Sequence, residues 1–126
     1  MSRLLALLLA VSSLPLVTGC ATAQLAQTEK GAFTVKDYLK TAYDTLLVAD
    51  PDTEGHRIRA QLETRAALAS FDDSVPFKPV PYAGPPSLAV ALELLERSTL
   101  EDGATVVAQT HTQRALAELR QALTRR

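Results

Sequence analysis

From Thr34 to Leu47 the apolar residues fall at Val35, Tyr38, Leu39, Ala42, Tyr43, Leu46 and Leu47. That spacing of three and four lays one continuous stripe along an α-helix. Thr34 stands where an N-cap belongs, and Asp37 puts negative charge into the first turn, where it suits the helix dipole. Lys36, Asp37, Lys40 and Asp44 lie off the stripe, and Lys40 and Asp44 form an i,i+4 pair. Asp50-Pro51 ends the run, because a residue before proline avoids helical angles. A second helix is expected from about Thr53 to Ser70. Its buried face is read as Ile58, Leu62, Ala66 and Ala69, with Arg57, Arg59, Glu63 and Arg65 outside it. Gly55 weakens the first turn. The alanines at 60, 66, 67 and 69 allow close approach, and the short connection makes the two helices an antiparallel hairpin.

Residues 72–86 break the helical pattern. Pro76, Pro79, Pro81, Pro85 and Pro86 crowd the segment around Gly84, so it should be extended and partly polyproline II. Val75, Phe77, Val80 and Tyr82 are apolar and costly to leave in water, which favours a strap capping the helical core. The sharper reading makes Phe77, Pro79, Pro81 and Tyr82 an interaction segment shown to a partner, as proline-rich stretches often are. A third helix is expected from Ser87 to about Ser98, with Leu88, Ala91, Leu92 and Leu95 inward and Leu94 widening that face. After the turn at Asp102-Gly103, Leu116, Leu119, Ala122 and Leu123 mark a last helix, and Arg120, Arg125 and Arg126 near its end suit the dipole. Ala104-Thr105-Val106-Val107-Ala108 has the β-branched character of a strand. With no second strand to pair with, it is read as the start of that helix. The expected fold class is all-α: four helices in two hairpins joined by a proline-rich crossover.

The residues before Thr34 change the picture. Arg3, the apolar run Leu4–Val11 and the break at Ser12-Ser13 have the order of an export signal, too short to span a bilayer. It ends in Val17-Thr18-Gly19-Cys20. That tetrapeptide resembles the lipobox of bacterial lipoproteins: an aliphatic residue, a small residue, Gly or Ala, then Cys. Val17 stands where leucine is commonest. The resemblance implies that the Cys20 thiol receives a diacylglycerol, that the Gly19–Cys20 bond is cleaved, and that membrane lipid is held through Cys20. It divides the chain into a signal peptide (1–19), a lipidated tether (20–33) and a helical domain (34–126). Cys20 is the only cysteine in the 126-residue chain, so it has no disulfide partner within it. Residues 21–28 are small and polar, as a spacer usually is. Among enteric lipoproteins an Asp after the cysteine often retains the protein in the inner membrane. Ala21 therefore leans toward the periplasmic face of the outer membrane.

Removing residues 1–19 takes Arg3 with them, so 13 basic residues become 12 against 14 acidic ones, and 12 − 14 = −2. That balance has no electrostatic footprint for nucleic acid. Asp50-Pro51-Asp52-Thr53-Glu54-Gly55 has the alternating oxygens and sixth-position Gly of a calcium loop. Gln61 at the twelfth position cannot supply the bidentate carboxylate, so Asp50, Asp52 and Glu54 are weak metal candidates beside a plain capping turn. His56 and His111 lack the spacing and the partners of a zinc site. Asp72-Asp73 has no evident nucleophile nearby, Ser87 and Ser98 lack the Gly-x-Ser-x-Gly setting, and there is no glycine-rich phosphate loop. No cofactor and no enzyme activity are expected. The leading expectation is a non-catalytic helical module that binds an envelope protein or stabilises an assembly. The alternatives are an apolar-ligand module using the space between the hairpins, and a lysis lipoprotein of the phage outer-membrane spanin kind.

Overall fold

The structure is a computed structural model that describes residue 25 and residues 30–52 and 54–124. The helices are α1 (Val35–Val48), α2 (His56–Leu68), α3 (Leu88–Ser98) and α4 (Val106–Thr124). The protein is all-α, as the periodicity predicts. Thr34 and Asp37 form a reciprocal capping box at the start of α1: Asp37 N–H donates to Thr34 Oγ1, and Thr34 N–H donates to Asp37 Oδ2. Ser87 caps α3 by accepting from the Val90 N–H. Thr105 Oγ1 accepts from the Ala108 N–H at 3.0 Å, which closes the first turn of α4. The β-branched 104–108 stretch is therefore resolved as cap and helix, with Val106 and Val107 facing solvent.

The two hairpins pack most closely across one another, α2 on α4 and α1 on α3. Cross-links give the direction of the first pair. Glu118 meets His56 and Arg59, Glu63 meets His111, and Ser70 meets Thr105, so α2 and α4 run antiparallel. The start of α1 lies beside the end of α3, where the Gly31 N–H donates to Glu101 Oε1 at 3.0 Å. One end of the bundle thus carries the α1–α2 turn and the start of α3. The other carries the start of α1 and the start of α4. Leu39, Leu46, Leu94, Leu95, Leu116 and Leu119 fill the space between the hairpins, with Tyr38 and Val90 beside them.

The inward face of α2 is not the one read from its larger apolar residues. His56, Ala60, Thr64 and Ala67 are buried, whereas Ile58 and Leu62 are 46% and 53% exposed, Ala66 is half-buried and Ala69 is exposed. The reason is steric. Ala60 and Ala67 face a helix that itself buries Ala108, Ala115 and Ala122. A branched side chain at this seam would hold the two backbones apart. Thr64 satisfies its hydroxyl by donating to the Ala60 carbonyl at 2.8 Å. The helix also begins at His56 rather than at Thr53, and Thr53 lies outside the described residues. Gly55, at φ 79°, makes the left-handed turn into it. Asp37, read as off the stripe, is buried as well, because the strap covers it. Leu25, within the stretch read as tether, is only 7% exposed and forms an antiparallel bridge with Tyr82.

Candidate functional site

The strap between α2 and α3 lies along α1 and runs in the same direction. Five contacts set its course. Lys36 Nζ donates to the carbonyls of Asp72 and Val75. The Lys78 N–H donates to Asp37 Oδ1 at 2.7 Å, and the Val80 N–H donates to Thr41 Oγ1 at 3.0 Å. The Thr45 hydroxyl stands 3.5 Å from the Tyr82 hydroxyl. Asp37, Thr41 and Thr45 recur at i, i+4 and i+8, so they form a polar row on α1 next to its apolar stripe. The strap has no helix or sheet of its own to absorb its backbone donors, and this row supplies acceptors for them. Val80 is buried beneath it.

Where the strap leaves α2 it does not close completely on the helices. One groove of about 670 Å³ is lined by Thr34–Asp37, Phe71, Asp72, Val75–Lys78, Asp102 and Gly103. A second, of about 380 Å³, lies between α1, α2 and the strap, lined by Lys36, Lys40, Tyr43, Arg65, Leu68, Asp73 and Val75–Phe77. Lys36, Val75, Pro76 and Phe77 border both, so the two form one surface feature with an apolar floor and a mixed rim: Lys36, Lys40 and Arg65 with Asp73 around the second groove, and Asp72 and Asp102 with Lys36 and Lys78 around the first. Lys40 pairs with Asp44 at 2.7 Å and stands over the rings of Tyr43 and Phe77. Arg65 is exposed on the rim of the second groove and makes no ion pair among the described residues. Asp72 closes the turn beneath. Donation from the Ser74 N–H and hydroxyl, opposed by slight desolvation and helped by the Lys36 charge, holds its carboxyl below the usual range.

Of the proposed interaction residues, Phe77 is half-buried under Lys40, Tyr82 is half-buried against α1 and Leu25, and Pro79 and Pro81 are exposed. Gly19 and Cys20 lie outside the described residues. Asp52 is committed to capping: its carboxylate accepts from the N–H groups of Arg57, His56 and Glu54 at 2.8, 3.0 and 3.3 Å. Slight desolvation acts to raise its pKa, but those backbone donors outweigh it and the net shift is downward. Among the described residues no group of three or more His, Cys, Asp or Glu is arranged to hold a metal ion, so Asp50, Asp52 and Glu54 do not converge as calcium ligands.

Both histidines sit in the α2–α4 seam. His111 Nδ1 lies 2.6 Å from Glu63 Oε1, and His56 Nδ1 lies 2.7 Å from Glu118 Oε1, which also accepts from Arg59 Nε at 3.0 Å. An imidazole oriented by a carboxylate is a form general bases take. Here His56 Nε2 is buried within the protein, 3.4 Å from Glu54 Oε1, and neither groove along the strap is lined by it. The arrangement ties two helices together.

Sequence reasoning missed the Asp37-Thr41-Thr45 row and the roles of Lys36 and Arg65. The signal was present as polar residues at helical spacing beside an apolar stripe and opposite a proline-rich segment. No helix among the described residues is long and apolar enough to cross a membrane. No protein-family model matches the chain, and neither does any curated protein or solved structure.

Proposed function

We propose that the chain is a lipid-anchored envelope lipoprotein whose helical body is a non-catalytic docking module for another envelope protein. The observation that carries it is Cys20, the single cysteine, standing at the end of the signal-like run as Val17-Thr18-Gly19-Cys20. A lone exported thiol has no disulfide use, whereas an acylated one confines the body to a membrane. Ala21 favours the periplasmic face of the outer membrane.

The groove along the strap supports the docking part of this reading. Its floor of Val75, Phe77 and Leu68 with Arg65 on the rim suits a partner segment that presents an apolar side chain next to a carboxylate. Two measurements test it. Cys20→Ser should abolish metabolic labelling by palmitate and move the protein from the membrane pellet to the soluble fraction. Unchanged labelling and fractionation overturn the anchor. A photo-crosslinking residue at exposed Val75 should give a discrete protein adduct in intact cells, and Arg65→Glu should remove it. No adduct, or one indifferent to Arg65→Glu, overturns the docking module.

A further inference from the structure

We propose that the end of the bundle carrying Leu47 and Val48, together with the adjoining part of the strap, lies against the surface of a zwitterionic phospholipid bilayer. The inference rests on the lipoprotein reading and adds an orientation to it. Cys20 precedes Leu25 by five residues. Chain geometry therefore keeps the acylated sulfur within roughly 18 Å of Leu25, at about 3.6 Å per residue. Leu25 is buried in the core and bridged to Tyr82, so that radius is measured from a fixed point on the domain.

The direction is also set. The strap runs from Val75 beside Lys36 to Tyr82 beside Thr45, toward the C-terminal end of α1. Leu25 pairs with it antiparallel, so the N-terminal side of its backbone points the same way, toward Val48. Val48 shares a shallow surface depression with Tyr82, Pro79 and Val80.

What the protein exposes there suits a bilayer surface. Val48 and Leu47 are 66% and 47% exposed. No charged residue occurs between Lys78 and Glu93, and Pro79, Pro81, Ala83, Gly84, Pro85 and Pro86 of that stretch are exposed. An apolar face held near a membrane gains by entering the headgroup boundary. Asp44 borders the same depression, and Asp50, Asp52 and Glu54 belong to the turn that follows α1. These carboxylates repel an anionic surface, which is why the bilayer is specified as zwitterionic.

The chain contains no tryptophan, so a single introduced one reports alone. The acylated mature protein is reconstituted into phosphatidylcholine vesicles with brominated acyl chains. Val48→Trp reports from the helix side and Pro85→Trp from the strap side. Val106→Trp, at the exposed start of α4 on the opposite end, is the control. The expected result is about twofold or greater quenching at positions 48 and 85 and none at 106, as for a face inserted into the headgroup boundary. Equal quenching at all three positions, or at none, in protein that floats with the vesicles overturns the orientation while leaving the anchor intact. Protein that carries no acyl group at Cys20 and fails to float overturns the lipoprotein reading, and the orientation with it.

Discussion

Asp37 serves two structures at once. One carboxylate oxygen closes the α1 capping box and the other receives the Lys78 N–H of the strap. Both of these hydrogen bonds are part-buried, so losing them should cost about 1 kcal/mol each. Asp37→Ala should lower the urea midpoint and accelerate amide exchange at Lys78, while exchange in the middle of α4 follows global stability only. Unchanged exchange at Lys78 would show that the strap holds without this contact. Glu118 is the other carboxylate with a legible consequence. The hydrogen bond from His56, opposed by partial burial and reinforced by the hydrogen bond and charge of Arg59, holds its pKa below the ordinary value. A depressed folded pKa contributes stability above the unfolded pKa, and that contribution is lost as pH falls through the folded one. The wild-type urea midpoint should therefore fall on acidification below about pH 4.5, and Glu118→Gln should have a lower midpoint at neutral pH and a flatter acid limb. The two curves converge in acid.

At the scale of elements, α2 shows how a helix can be recognised while its inward face is misread. Its existence followed from length and from the turns around it, but the apolar contrast along it is weak. Ile58 and Leu62 are its largest aliphatic residues in the first two turns, and size suggested burial. The packing instead selects Ala60 and Ala67, because the seam with α4 is narrow. The double substitution Ile58→Gln, Leu62→Gln should change stability by only about 0.5 kcal/mol per site, as ordinary surface changes do. Ala60→Leu should cost about 1–3 kcal/mol by overpacking. Thermal denaturation of the two variants separates the faces, and the reverse order would restore the face drawn from residue size. The helices α1 and α3 were legible to their caps, but not in every position of their faces: Leu47, read into the α1 stripe, is exposed, Leu92 is only half-buried, and Val90, left out of the α3 face, is buried. The strap was legible as a break and as a cover for apolar residues. Its course along α1 was not, since Asp37, Thr41 and Thr45 become acceptors only once a particular backbone segment lies over them. The groove beside it shares that character: Arg65 and Phe77 are twelve residues apart and are brought together only by the turn at Asp72.

For the whole molecule, the decisive relation is between the helical body and the residues that lead into it. A flexible spacer ending at Thr34 would let the body range freely from its anchor, and substitutions within that spacer would leave stability untouched. Leu25 does not behave as a spacer residue: its side chain joins the core cluster and its backbone bridges Tyr82. Truncating a buried leucine to alanine costs about 2–5 kcal/mol, and the lower end applies where the surroundings can collapse. In the non-acylated Cys20→Ser background, Leu25→Ala should thus destabilise the domain by about 2 kcal/mol, whereas Thr22→Ala should be neutral. Urea unfolding followed by far-UV circular dichroism measures both. The same substitution also lengthens the leash. With Leu25 undocked, the next described contact is the Gly31 N–H on Glu101, eleven residues after Cys20 instead of five. That doubles the contour from roughly 18 to roughly 40 Å at about 3.6 Å per residue. Acylated Leu25→Ala protein should then stay on vesicles, yet lose much of the quenching at a tryptophan placed at position 48. Undiminished quenching would mean that the apolar face holds to the bilayer without a short tether, and that Leu25 contributes to the fold alone.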